Sequence, residues 1–439
     1  MKQRQLALKI LGEVEEGSYL NLALKKQLKG LPEQDRRFVA ALLYTTLENR
    51  GRIDYVIDGF TAGKRVHKFV RNVLRLGVCQ LMFFETVPQS AAVNESVKLM
   101  EKSPKRQLKG FVNAVLRSIA ENLGKIKYPS IEMEPARYLS VLYSYPLWLA
   151  EKYIAEYGFD FAEAMLSYHK KAADTCVRAN RLKTTGSQLL AKLEGRGLIC
   201  RPGTYIEDSF YIRNIAGVDE LDLFKKGLLA VQGEASMVIC EAAQVQPGQA
   251  VLDVCAAPGG KSAYLAQFAP GRLASWDLHE HRVALMRENF ARLGVRAECC
   301  VRDAGVFYPE EQEGYDAVLI DAPCSALGLL YRKPDIKYAK QPDEIATLMQ
   351  VQREILSACA QYVRPGGRLI YSTCTISKEE NSGNMDWFLQ SHQEFREVNL
   401  AAALPQHLMN RARGGRLQLF PHLDGIDGFF LAVLEKERA

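Results

Sequence analysis

VLDVCAAPGGKS, residues 251–262, runs a buried apolar strand into a turn of small residues and then into a helix start. Further strands and helices alternate after it. Strand 250–254 leads to helix 260–268, and strand 272–277 to helix 279–293. Strands 297–302 and 315–321, helix 343–363 and strand 367–373 follow. Ser377 and Glu380 have the S-x-x-E spacing of a capping box that opens helix 378–390. Residues 415–420 and 428–435 close the chain as a hairpin. Alternating strands and helices predict a parallel sheet with helices on both faces. Residues 229–439 are therefore expected to form a Rossmann-like α/β core.

In such a sheet, ligands bind beyond the carboxyl ends of the strands. The loop at 255–261 is of the nucleotide type, but it fails the P-loop test, because Cys255 stands where the first glycine of G-x-x-x-x-G-K-S belongs. It fails G-x-G-x-x-G as well. A loop with fewer backbone donors suits a cofactor that lacks phosphates. Asp277 ends the next strand, where a carboxylate can hold both hydroxyls of a ribose. Asp303 follows the third strand, near the expected place of an adenine amino group. Singly, each acid is more often a turn or cap residue. Together, Asp253, Asp277 and Asp303 at successive strand ends point to S-adenosylmethionine, which has an adenine, a ribose, a sulfonium and no phosphate.

Two thiols share the same rim. Cys324 ends YDAVLIDAPC (315–324) and Cys374 ends GRLIYSTC (367–374). Carbon 5 of a pyrimidine is a poor nucleophile. A thiolate added at carbon 6 turns the ring into an enamine that can attack a methyl group. The carbon 5 proton then leaves and the thiol is eliminated, which is nucleophilic catalysis. The thiolate must be stabilised locally, since a free cysteine has a pKa of about 8.5. Asp321, three residues before Cys324, is placed either to assist ring nitrogen 3 or to meet the methionine moiety. The bland alternative is two core cysteines, because free cysteines are mostly small buried hydrophobes. That reading is assigned to Cys79, Cys200, Cys240 and Cys359. No C-x-x-C pair occurs and no metal is expected.

The front of the chain is different. Residues 1–130 hold 23 Lys and Arg against 12 Asp and Glu, while the remainder holds 34 against 39. A basic module on a mildly acidic body suggests a polyanionic partner, nucleic acid first. Apolar stripes at helical spacing recur: Leu6, Ile10, Leu11, Val14; Val39, Leu42, Leu43, Leu47; Val70, Val73, Leu74, Val78; and Phe111, Val115, Leu116, Ile119. They predict an all-α bundle over 1–128. Basic residues lie off the stripes, at Lys64, Arg65, Lys68, Arg71, Arg75 and at Lys102, Lys105, Arg106, Lys109. Residues 129–170 read as a helical connector. Residues 171–228 read as a small α+β (RRM-like) module, with a strand at 175–185 and a helix to about Gly197. The start, MKQRQLALKILGEVEEG, is not read as a signal peptide, since Lys9, Glu13 and Glu15 interrupt any apolar run. No apolar run reaches membrane-spanning length. A cytoplasmic monomer is expected.

The motifs DVCAAPGGKS, DAPCSALG, STCTISKEEN, RANRLK and DGFFLAVL (427–434) together resemble the RNA (cytosine-5)-methyltransferase family, also called NOL/NOP/Sun, over about residues 170–436. DRRFVAALLYTTLE (35–48), AAVNESVKLME (91–101) and KGFVNAVLR (109–117) resemble the NusB-like RNA-binding domain. The joint match is similar to the B type of bacterial small-subunit ribosomal RNA methyltransferases, which implies 16S rRNA as substrate. The resemblance implies Cys374 as nucleophile and Cys324 as the thiol that assists product release, and Asp321, by its place beside Cys324, is assigned to base activation. It also implies cofactor contacts at Cys255, Ala256, Ala257, Pro258, Gly259, Gly260, Lys261, Asp277, Asp303 and Asp321, with Arg282 expected beside them. Arg178, Asn180 and Lys183 fall on its RNA side. Three positions depart from the family pattern: many members read PCSGTG where this chain has Ala326 and Leu327, and Gly233 stands where an Asp is common. Lys261 is read as a contact of the cofactor carboxylate or of the catalytic acid, or simply as an exposed helix residue. The competing functions are the same chemistry on tRNA and a non-catalytic RNA-binding assembly factor.

Overall fold

The computed structural model describes residues 2–101, 103–168, 174–213, 215 and 217–438. They form two compact units: residues 1–167 with 333–340, and residues 168–332 with 341–439.

The first unit is all helical. Helices Lys2–Glu15, Leu20–Gln27, Glu33–Glu48, Arg50–Phe60, Lys68–Phe83, Gln89–Glu101 and Lys109–Asn122 are followed by Pro135–Leu142, Leu147–Tyr157 and Phe159–Leu166. The sequence stripes make its core: Ile10, Leu11, Val39, Leu42, Leu43, Val70, Val73, Leu74, Leu116 and Ile119 are all buried. Residues 129–167, read from sequence as a connector, belong to this unit, as does the distant segment 333–340. Asp335 accepts the backbone N–H of Leu20, and the Lys337 ammonium lies 3.9 Å from the Tyr145 ring centre. Of the first basic cluster, Arg71 is tied to Asp54 and Asp58, and Arg75 is buried against Glu15 and Asp54, so neither is free to meet a phosphate. Lys102 of the second cluster lies outside the described residues.

The second unit holds two sheets. Strands β1 (Thr175–Ala179), β2 (Cys200–Pro202), β3 (Ser209–Ile212) and β4 (Leu229–Val231) form an antiparallel sheet in the order β2-β3-β1-β4. Helix Gly186–Glu194 belongs to this module, opened by a capping box between Thr185 and Gln188. The larger sheet contains β5 (Ala250–Val254), β6 (Arg272–Asp277), β7 (Glu298–Val301), β8 (Tyr315–Asp321), β9 (Val363–Thr373), β10 (Phe395–Glu397), β11 (Arg416–Gln418) and β12 (Phe430–Lys436). Its order is β10-β12-β9-β8-β5-β6-β7, with β11 on β12. The pairs β9-β8, β8-β5, β5-β6 and β6-β7 are parallel. The remaining strands are antiparallel, so the sheet is mixed rather than parallel throughout. β12 runs between β9 and β10 and pairs antiparallel with both.

One local expectation fails. Ser377 and Glu380 do not form a capping box. The Ser377 hydroxyl bonds Glu379, and its N–H donates to the Thr375 hydroxyl. The predicted helix begins as a π-helical turn, Glu379–Gly383, and becomes α-helical over Asn384–Ser391. No described helix is long and apolar enough to cross a membrane.

Candidate active site

β5 and β8 are neighbours, as are β8 and β9, so the loops that leave their carboxyl ends open onto one rim. The small-residue loop turns sharply after β5: Cys255 has φ +59° and Gly259 φ +91°. At Gly259 a Cβ would sit 2.5 Å from the Phe290 ring and 2.9 Å from Met286 Cγ, both on helix Glu280–Leu293. Only glycine allows that approach. Asp277, at the end of β6, accepts the Ala257 N–H at 3.2 Å and the His279 N–H at 3.3 Å. Arg282 pairs with Asp277 at 3.2 Å and donates to the Ala257 carbonyl at 2.8 Å. The structure thus gathers residues 255–261, Asp277 and Arg282 into one cluster. Asp303 is exposed and accepts the N–H of Gly305, so it also shapes its own turn.

Asp253 is wholly buried and accepts a hydrogen bond from the Ser262 hydroxyl at 2.5 Å. Its second oxygen is buried with no hydrogen-bond partner among the described residues. Burial pushes its carboxyl up to about 7, against the lowering pull of Ser262 and Lys261. Lys261 is buried, not a solvent-exposed helix residue, and its ammonium sits 2.5 Å from Asp321. Burial alone would lower the lysine, but Asp321 outweighs it and holds the ammonium charged. The other Asp321 oxygen accepts from Ser372 at 3.0 Å.

The two thiols meet. Asp321 lies opposite Ser372 in the β8-β9 register, so the turns that follow bring Cys324 and Cys374 together, sulfur to sulfur at 3.3 Å. Neighbouring bonds join the turns: Ala322 N–H to the Ser372 carbonyl, and Gly328 N–H to the Cys374 carbonyl. The Cys324 thiol is pushed well up, first by its hydrogen bond with Cys374, then by burial, then by the Cys374 and Glu380 charges. Cys79, Cys240 and Cys359 are buried as expected, while Cys200 is half-buried. Ala326 sits at φ +57°, a left-handed conformation that suits the glycine common at this position in the resembling family.

The residues expected on the RNA side are placed differently. Arg178 is 1% exposed, bonded to Gln232 and Gln267 and laid over Tyr264. Asn180 is also 1% exposed and donates to the carbonyls of Gly227 and Leu293. Lys183 donates to the carbonyls of Lys226 and Arg292. Asn180 and Lys183 thus satisfy the open carbonyls that end helix Glu280–Leu293, where a cation is also favoured. Burial and these bonds make Arg178 and Asn180 joints between the small sheet and the larger one. Sequence reasoning also misses Glu380. Its spacing from Ser377 reads as a cap, yet it is wholly buried against both thiol turns. An acid six residues after Cys374, in the run EENSGN, is the available signal.

The donor set discriminates between cofactors. Asp253, Asp277, Asp303 and Asp321 surround the loop. The two cations in this set, Lys261 and Arg282, are both paired with these acids. A cofactor carrying phosphate would meet repulsion here, whereas one with ribose hydroxyls, an ammonium and a sulfonium fits.

The parallel strands, the small-residue loop and the acids at strand ends define a Rossmann-like methyltransferase. Residues 241–435 match the 16S rRNA methyltransferase RsmB/F family, residues 1–121 the NusB family, and residues 145–219 the ferredoxin-like domain of RsmF/B-like methyltransferases. The probable ribosomal RNA small subunit methyltransferase B of Bacillus subtilis is 36% identical, over 99% of this chain and 98% of that protein. The ribosomal RNA small subunit methyltransferase B of Vibrio cholerae is 31% identical, over 97% and 95%. The crystal structure of PH0851 superposes with a TM-score of 0.83 at 27% identity, over 99% of this chain and 98% of that one. NSun6 from Pyrococcus horikoshii, solved with SFG, shares the fold over 66% of this chain and 97% of its own, with a TM-score of 0.56 at 21% identity. The chain belongs to the ribosomal RNA small subunit methyltransferase B family, whose members depend on S-adenosylmethionine.

Proposed function

We propose that this enzyme methylates carbon 5 of a cytidine in 16S rRNA through a covalent bond between Cys374 and carbon 6 of the base. The observation that carries the reading is the dithiol: two cysteines at the ends of adjacent strands, 3.3 Å apart, beside the ion pair of buried Lys261 with half-buried Asp321. When bound, S-adenosylmethionine supplies the electrophilic methyl group. Residues 255–261, Asp277, Asp303 and Arg282 hold it. Asp321, with Lys261 and Ser372 behind it, faces ring nitrogen 3, which takes the Lys261 proton relayed through the Asp321 carboxyl as negative charge builds on the ring. The Cys374 thiolate adds at carbon 6, and the ring electrons move to carbon 5, which takes the methyl group. The carbon 5 proton then leaves to a base, the carbon 5–carbon 6 double bond re-forms and the Cys374 thiolate departs.

The Cys324 environment supports its role in the last step. Its thiol is held protonated first by the hydrogen bond with Cys374. Once Cys374 is bonded to carbon, that sulfur no longer carries the charge that holds the Cys324 proton in place. Cys324 can then release its proton to water and, as a thiolate, receive the carbon 5 proton. The substrate rests on the names of the full-length relatives and on the basic NusB-family front.

Methyl transfer from labelled S-adenosylmethionine to small-subunit RNA tests the chemistry. Cys374→Ala should abolish it, and near-normal activity would sink the assignment. Cys324→Ala should instead accumulate an RNA adduct that survives a denaturing gel. If Cys374→Ala accumulates it, the roles are exchanged. Bisulfite sequencing of RNA from a deletion strain separates 16S rRNA from tRNA as the substrate.

A further inference from the structure

The π-helical turn Glu379–Gly383 has a consequence for the dithiol. Its wide register brings Glu380, Asn381 and Asn384 all inward, and each is at most 1% exposed. Single π turns inside helices are frequent at functional sites. One Glu380 oxygen accepts the Ser325 N–H at 2.9 Å and the Gln352 amide at 3.0 Å. The other accepts the Ser325 and Thr375 hydroxyls. Ser325 directly follows Cys324, and Thr375 directly follows Cys374. The residues before the thiols are held by the same network: Gln352 donates to the Pro323 carbonyl at 2.9 Å, and Thr373 donates to Asn381 at 2.6 Å. Both cysteines are thereby bracketed front and back.

We propose that Glu380 is the positioning residue of the dithiol: its one buried carboxylate fixes both thiol-bearing turns and so sets the sulfur–sulfur spacing on which the two-thiol cycle depends. The inference rests on the covalent reading above and adds a residue to it. Four donors converge on the group, so a buried ionised carboxylate is satisfied there as charge-assisted bonds require. Its charge also contributes to keeping the Cys324 proton in place. Glu380 does not touch the base; it acts through the two turns.

Glu380→Gln is the main test, because it keeps the size of the side chain and removes the charge. Its amide nitrogen can still donate to the two hydroxyls, so the fold is retained. Glu380→Ala removes the bracket as well. Displacement of reacting groups by about 1 Å can cost about 100-fold in rate. The Gln variant should lose about 10-fold or more in kcat, with KM for RNA and S-adenosylmethionine affinity within about twofold of wild type. The Ala variant should lose more. Trapping on RNA that carries 5-azacytidine separates this proposal from the reading beneath it. If wild type traps no adduct through Cys374, the covalent reading fails. If wild type traps one and the Gln variant matches it in both trapping and kcat, the Glu380 proposal is overturned. A change confined to KM would also overturn it, since that would place Glu380 in substrate binding.

Discussion

Replacing Asp253 with asparagine tests the electrostatics beneath the cofactor loop. Asp253 lies on β5, opposite Ser275 of β6 and Leu319 of β8, with one oxygen bonded to Ser262 and the other unpartnered among the described residues. Burial lifts its carboxyl from 3.8 to about 7. Between these values the folded protein holds a proton that the unfolded chain has lost. The unfolded state therefore binds fewer protons, and stability falls as pH rises through the window. A pKa displaced by one pH unit corresponds to about 1.4 kcal/mol, so the ionised group costs the fold up to about 4 kcal/mol once the pH exceeds its folded value. The asparagine side chain has no titrating proton. It keeps the Ser262 bond through its carbonyl, and any cost of its amide is the same at every pH.

The stability difference between wild type and Asp253→Asn should thus tilt towards the variant by about 2 kcal/mol between pH 5 and pH 7 and level off above about pH 8. Urea unfolding at unit pH intervals reads it, followed by tryptophan fluorescence, to which Trp276 and Trp387 of the second unit contribute. The slope is the test, because a constant offset measures only the amide. Parallel curves for the two proteins would refute the reasoning and would mean that Asp253 is ionised throughout.

Two smaller changes probe the loops. Gly259→Ala places a methyl against Phe290 and Met286 in a left-handed conformation. Overpacking of this kind costs about 1–3 kcal/mol, so calorimetric affinity for S-adenosylmethionine should fall about 10-fold, and unchanged affinity would contradict the close packing described. Ala326→Gly relieves the positive φ beside Cys324 and should raise stability by about 0.5–1 kcal/mol without loss of turnover; urea midpoints decide, and a lower midpoint would count against strain at this position.

The strands and helices of the larger sheet are legible because apolar runs of strand length alternate with helical periodicity. Strands 250–254, 272–277 and 315–321 match those observed residue for residue. Helical stripes likewise locate the front core. Polar residues are less legible, because a side chain's sequence neighbours do not say which way it faces. RANRLK suggests a contact with RNA, yet Arg178 and Asn180 point into the joint between the two sheets of the second unit. S-x-x-E at 377–380 reads locally as a cap, but Glu380 is claimed by Ser325, 55 residues away. A long-range acceptor of that kind leaves no periodic trace. For the same reason the sequence leaves Lys261 with three open roles, and only the fold pairs it with Asp321, 60 residues on.

Charge is divided along this chain in a way that bears on how an RNA substrate is presented. The rim of the larger sheet is acidic: Asp277, Asp303 and Asp321 outnumber Lys261 and Arg282, and both cations are already paired. An RNA backbone is a dense line of negative charge and is repelled there, as a phosphate-bearing cofactor would be. The excess of basic residues lies in the first 130 positions, where backbone contacts supply affinity without sequence reading. On the function proposed above, only the uncharged cytosine ring enters the acidic rim, extruded from its strand as enzymes acting on a base require. Binding and chemistry then answer to different conditions. Salt should weaken RNA association steeply through the basic front, while single-turnover methyl transfer from the assembled complex, set by groups buried under the loop, should change little. A chemical step that falls with salt as steeply as binding does would place RNA phosphates at the dithiol and contradict this division.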